Sequence, residues 1–133
     1  MVRSITGGLL QIKEGSLQVE EYDVFRVTQL TRDTELEHLV ACDFVRVEPG
    51  RESEIHRHNN AETILYILDG EGEVYHNGVW LRVKRRDRVR IGKGVWHGVR
   101  TGMKAITFIS VQSPPILDKS SGTLDLELLK KEE

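Results

Sequence analysis

The sequence predicts an all-β domain, a sandwich or small barrel of short strands, with helix confined to short pieces at the ends. Three observations carry this. β-branched and aromatic residues gather in short runs, turn formers separate those runs at fairly regular spacing, and no stretch in the middle of the chain keeps an apolar face at helical period. The 133 residues suit one domain, which at this size buries roughly two thirds of its unfolded surface and needs no cross-link to hold a core. The strands mark a barrel core from about residue 20 to 113, with a tail over 114–133.

The elements follow in order. "DVFRVTQL" and "ELEHLVACDFVRVEPG" read as strands, the second closed by a Pro-Gly turn. In "TILYILDGEGEVYHNGVWLRV", Asp69-Gly70 and Asn77-Gly78 fall between apolar runs, and Asn-Gly is a strong hairpin signal. "DRVRIGKGVWHGVRT" gives strand, glycine turn and strand. "KAITFISVQSPP" ends the series because Pro114-Pro115 cannot continue a ladder. The tail "SSGTLDLELLKKEE" leaves two readings open: a short helix capped by Thr123, or an edge strand from the alternation of Leu124, Leu126 and Leu128.

Composition excludes several classes. The chain is 38% hydrophobic and 30% charged with a formal net charge of −2, so nothing in its overall charge draws it to a polyanion. Arg82, Lys84, Arg86, Arg88 and Arg90 recur at every second position opposite Leu81, Val83, Val89 and Ile91, with a turn near Asp87. Without interleaved aromatic residues this basic stripe reads as a solvated sheet face, and no nucleic-acid partner is expected. The single cysteine, Cys42, cannot form an internal disulfide and reads as a buried small hydrophobe. The longest apolar run, "ILYIL", is far short of the ~20 residues that span a bilayer. The N-terminus lacks a signal-peptide core, so a cytoplasmic protein without membrane association is expected.

Five histidines are present. His38 and His76 stand alone among polar neighbours and read as surface residues. His56 and His58, in "EIHRHNNAET", are two apart, which on a strand puts both on one face with side chains some ~6–7 Å apart. Two imidazoles so placed can lean onto one metal ion, and His97 in "GKGVWHG" offers a third from a different strand.

On these residues the chain resembles the cupin family. "PGRESEIHRHNNAETILYILDGEG" is similar to the first cupin motif, G-x5-H-x-H-x3,4-E-x6-G: Gly50, His56, His58 and Gly70 match, and Glu62 stands near the acid position. "RDRVRIGKGVWHGVRT" is similar to the second, G-x5-P-x-G-x2-H-x3-N. Gly94 and His97 match, while Arg86 replaces the first Gly, Gly92 the Pro and Thr101 the Asn. The resemblance spans residues 44 to 112, about half the chain. It implies a double-stranded β-helix, a small barrel with one open mouth. It also implies one divalent transition metal inside (Fe, Mn, Zn or Ni), held by His56, His58 and His97. Whether Glu62 joins them stays open. Seven residues before the closing glycine stands Thr63, and on a regular strand Thr63, Leu65 and Ile67 face inward while Glu62 faces out. A one-residue bulge after Glu62 would bring its carboxylate to the metal.

Such a site suits an enzyme acting on a small polar molecule, an organic acid or a sugar. Dioxygenases, isomerases and decarboxylases of the family use it, and "HRH" resembles the three-histidine aromatic-acid dioxygenases such as gentisate dioxygenase, which are longer chains. The alternative is a non-catalytic module that binds or senses a sugar or small acid, because this fold hosts many chemistries. No catalytic residue is assigned. Glu54 shares the strand face of His56 and His58, and Trp96 reads as packing. Finally, "ETILYIL" is apolar on both faces, Ile64, Tyr66 and Leu68 on one and Leu65 and Ile67 on the other. A barrel has one interior, so a second copy of the chain is expected to cover the other face as a homodimer.

Overall fold

The computed structural model describes residues 2–5 and 9–12 by their backbone, and 17–118 and 120–130 with their side chains. β1 (Val2–Ile5) and β2 (Leu9–Ile12) form a hairpin of their own. Then come β3 (Val19–Tyr22), β4 (Phe25–Gln29), β5 (Ala41–Val47), β6 (His56–Arg57), β7 (Glu62–His76), β8 (Val79–Lys84) and β9 (Arg88–Ile91). β10 (His97–Arg100), β11 (Ile106–Ser113), β12 (Leu117–Asp118), β13 (Thr123–Leu124) and β14 (Glu127–Leu128) complete the set. The all-β prediction holds. The one helical piece among the described residues is a 3-10 turn, Glu35–His38, inside the chain and not at its ends. It forms where a strand was expected because Thr34 caps it, its side chain accepting from the Leu36 N–H, with Glu35 and Glu37 in the first turn.

The 15-residue β7 is the spine. Its first half pairs with β11 and β9, and its second half with β10 and β8. Beyond β11 the sheet runs on through β5 and β4 to β3, and beyond β10 through β6 to β14. One strand therefore passes from one sheet wall into the other, and the walls curl around a shared interior. The passage is made by a bulge. Thr107 pairs with Asp69 but Phe108 with Ile67, leaving Leu68 as the extra residue. Gly70 follows at φ 78°, and a Cβ there would meet the Ala105 carbonyl oxygen at 1.9 Å. The Asp69-Gly70 pair thus bends a continuous strand and does not close a hairpin. Asn77-Gly78 does, with φ of 48° and 85°, the left-handed pair that a tight two-residue hairpin requires.

The bulge reverses the inward parity of β7. Thr63, Leu65 and Ile67 face in before it, and Val74 after it. They meet Val27, Val45, Val47, Val83, Ile91, Val99, Ile106 and Phe108 in one apolar cluster. The basic stripe is split as expected between β8 and β9, its arginines exposed, with Arg82 paired to Glu71 and Arg90 to Glu62. Cys42 is only half-buried, in β5 opposite Val111. In the tail the strand reading prevails over the helix: β13 pairs with β12, and β14 pairs with β6.

Candidate metal centre

His56 and His97 are directly opposed across the β6–β10 pairing, and His58 follows on the same face of the β6 segment. The ligand nitrogens of His56, His58 and His97 all lie within 4.8 Å of one another. Each ring is aimed by a main-chain carbonyl: Nδ1 of His56 donates to the Glu54 oxygen at 3.1 Å, of His58 to Asp125 at 2.7 Å and of His97 to Val95 at 2.9 Å. A ring whose Nδ1 holds the proton keeps its Nε2 lone pair free, so all three are in the tautomer that binds a metal through Nε2. The Gly94 N–H donates to the His58 carbonyl at 2.8 Å, tying the glycine turn before His97 to the first motif.

The spacing fits an ion. An imidazole held about 2.1 Å from a metal has its ring centre about 3.2 Å away, so rings at 90–110° to one another stand about 4.5–5.2 Å apart. Here the His58 ring centre stands 5.1 Å from each of the other two, inside that range, and the His56–His97 pair is somewhat tighter at 4.2 Å. Burial, with the neighbouring His56 adding to it, pushes the His97 pKa from 6.5 down to about 3. Burial lowers that of His56 as well, with His58 a smaller contribution. Both rings are therefore neutral at ordinary pH, as ligands must be. The three nitrogens are close enough together to hold one divalent ion.

Glu62 lies apart from this group. No bulge follows it: Thr63 to Ile67 pair in unbroken register with Gln112 to Phe108, so Glu62 faces outward as regular geometry requires. Its carboxylate accepts from Arg90 Nε at 2.5 Å on the neighbouring strand. The carboxylate needed a local reversal of the strand, and the reversal occurs six residues later at Leu68. Thr63 takes the inward position, 2% exposed, with its hydroxyl buried and without a hydrogen-bond partner.

Other residues at the centre were not singled out from the sequence. Gln112, paired in register with Thr63, brings its amide nitrogen to 3.5 Å from His58 Nε2. Ser110, two residues along the same inner face, is opposite Asp43, whose carboxyl burial raises to about 6. These extend a polar band from His58 along the interior. Their inward parity with Phe108 and with Val45 and Val47 was the available signal. Glu54 is exposed and meets His56 only through its main-chain carbonyl. His38 and His76 are exposed. Trp96 packs under the Arg57 guanidinium, 4.4 Å from its ring centre.

Two curled antiparallel walls joined by one long strand define a double-stranded β-helix, and three of its histidines stand close enough together to bind a metal ion. The chain belongs to the cupin family: the cupin domain model matches residues 43–111, just over half its length. Among solved structures it is similar to a cupin-2 domain protein from Rhodospirillum rubrum, at TM-score 0.72 and 19% identity over 91% of this chain and 80% of that one. It is also similar to a predicted oxalate decarboxylase from Thermotoga maritima, at 0.69 and 19% over 78% and 98%. A conserved protein with a double-stranded β-helix domain from Klebsiella pneumoniae gives 0.61 and 20% over 91% and 90%. At these identities the likeness is one of fold. Among proteins of curated function none matches the sequence. No described helix is long and apolar enough to cross a membrane.

Proposed function

We propose that this protein is a metal-dependent enzyme acting on a small oxygen-rich molecule, an organic acid in preference to a neutral sugar, with its ion held by His56, His58 and His97. The observation that carries the reading is the charge of the donor set. Three neutral imidazoles leave the charge of a divalent ion uncompensated, whereas a carboxylate ligand would cancel part of it. With Glu62 engaged by Arg90, the positions beyond the three nitrogens favour an anionic oxygen supplied by the ligand. A bound ion would supply Lewis-acid polarisation of that oxygen. The chain's own residues hold the ring tautomers, offer the Gln112 amide and the Thr63 hydroxyl to a second polar group, and exclude water on the apolar side through Leu65 and Phe108. Decarboxylation, isomerisation and dioxygenation are the reaction classes that suit this arrangement.

A second reading, a module that binds or senses such a molecule without turnover, is favoured by one observation. Apart from the imidazoles, neither carboxylate nearest in sequence reaches the centre, Glu54 being exposed and Glu62 paired outward. Metal content comes first as the test. Protein purified without a chelator or a metal-affinity column should carry about one transition metal ion per chain. A preparation without stoichiometric metal overturns the enzyme reading. Turnover of small hydroxy-, keto- and dicarboxylic acids by the loaded protein separates enzyme from sensor.

The homodimer belongs to the same proposal. Ile64, Tyr66 and Leu68 are 37%, 44% and 36% exposed on the outer face of β7, and Phe44 is 39% exposed on the same face of β5. Val111 and Ile109 of β11 lie between them in register. A contiguous apolar sheet face of this kind suits a second copy of the chain.

A further inference from the structure

The tail returns to β6, the strand that carries His56 and leads directly into His58. After the turn at Ser120–Gly122 and β13, the chain lays β14 against β6, pairing Leu128 with His56 and Glu127 with Arg57. The Leu129 N–H donates to the Ile55 carbonyl at 2.9 Å. Asp125 makes four bonds at once. Its N–H donates to Ile116 at 2.7 Å and its carbonyl accepts from His58 Nδ1 at 2.7 Å. Its two carboxylate oxygens accept the Asn59 and Asn60 N–H groups at 2.8 and 2.9 Å. Glu127 accepts from Arg57 at 2.8 Å and from the Asn59 side chain at 3.3 Å, and the same guanidinium lies on Trp96, next to His97.

We propose that the segment from Thr123 to Leu129 is a built-in strap that completes the metal centre, with Asp125 as the positioning residue for His58. The strap is held by polar and main-chain contacts and not by burial, since Thr123, Leu124, Glu127 and Leu128 are exposed. An exposed two-residue strand docked by hydrogen bonds and the surface Arg57–Glu127 ion pair contributes little core, so its removal should spare the barrel. It should not spare the ligand. Without the Asp125 carbonyl, the His58 Nδ1–H loses its acceptor, leaving only the longer Gln112 contact at Nε2, and the loop after it loses both carboxylate anchors. Outer-sphere partners of metal-bound histidines typically govern affinity by 10–100-fold. Coupling is reciprocal, so an ion that favours the ordered His58 must also favour the docked strap.

This inference rests on the three-histidine reading, and the experiment separates the two. Zn2+ and Co2+ affinities would be measured by chelator competition on the full chain, on a chain ending at Gly122, and on full-length Asp125→Ala and Asp125→Asn variants. The expected result is affinity lowered ~10–100-fold by truncation and less by Asp125→Ala, with partial rescue in Asp125→Asn, which keeps one acceptor oxygen. Metal should also slow proteolytic cleavage between Ser120 and Lys130 in the full chain. The imidazole nitrogen shifts of His58 should report a fixed Nδ1–H tautomer in the full chain and a mixture in the truncated one. Equal affinity in full and truncated chains, or in wild type and Asp125→Ala if the truncated chain does not fold, overturns the strap and leaves the centre intact. No binding by any chain overturns both.

Discussion

Acid should destabilise the metal-free protein through His97, and the size of the effect follows from its burial. In the unfolded chain this imidazole takes up a proton near its ordinary 6.5, but in the folded chain only near 3. Between those values the unfolded form binds the extra proton. The stability contributed by neutral His97 is therefore complete above pH 6.5 and is lost as pH falls toward 3. One proton is worth about 1.4 kcal/mol per pH unit, which gives roughly 2–3 kcal/mol between pH 6.5 and 4.5. His56, also lowered by burial, adds with the same sign. Asp43 works against both. Burial raises its carboxyl from 3.8 to about 6, so over that interval the folded form binds the extra proton and gains stability as pH falls. A bare acid-unfolding curve mixes these opposing contributions. The decisive quantity is the stability difference between wild type and His97→Gln, both metal-free, from urea unfolding at several pH values from about 7.5 to 4.5. Wild type should lose roughly 2–3 kcal/mol relative to the variant over the lower part of that range. A difference that does not move with pH would refute the argument that His97 is kept neutral by burial.

Glu62→Gln should leave metal stoichiometry and affinity unchanged in a chelator competition and cost less than about 1 kcal/mol, because its pair with Arg90 is exposed; a large loss of affinity would return Glu62 to the ligand set. Gly70→Ala should destabilise by on the order of 2–4 kcal/mol, since the new Cβ meets the Ala105 carbonyl at 1.9 Å on a left-handed backbone; a near-neutral effect on chemical denaturation would show that the bulge is not rigid. Adding Zn2+ at a hundredfold excess over Kd should stabilise wild type by about 2.7 kcal/mol, seen as a higher Tm, and should do far less for His56→Ala. Tyr66→Lys should convert a dimer to a monomer in sedimentation velocity; a wild-type chain already monomeric at micromolar concentration sinks the proposed interface.

The histidine set was legible because period-two geometry places His56 and His58 on one face whatever the register of the neighbouring strands. His97 was offered by a glycine-flanked turn on a different strand, and the resemblance to the second cupin motif, not geometry read from the sequence, put it in the set. Glu62 was undecidable for the complementary reason. A bulge changes which parity faces inward, and where it falls is settled by cross-strand pairing that one strand's sequence does not contain. The Asp69-Gly70 pair carried a visible signal with two meanings, a hairpin or a bent strand. What distinguishes them is the Ala105 carbonyl packed against Gly70, which lies some thirty-five residues further along the chain.

The strap was hidden in a different way. All three rings are oriented by main-chain carbonyls, of Glu54, Asp125 and Val95, and a carbonyl is present at every residue whatever its side chain. Two of these partners are local, two residues before their histidine, and follow from the strand once the ligands are named. The third lies sixty-seven residues away from His58 and reaches it only because β14 pairs with β6. The side-chain pattern of Leu124, Leu126 and Leu128 gave a strand as one of two options but no partner for it, since these leucines stay largely exposed and mark no buried face. The informative residues were the acids between them. Asp125 and Glu127 sit at the spacing that puts both on one side of an extended segment, opposite the Arg57 and Asn59 that they engage. Charge complementarity between two segments so far apart is too common on a surface that is 30% charged to single out one pairing, so the contact that aims His58 becomes visible only in three dimensions.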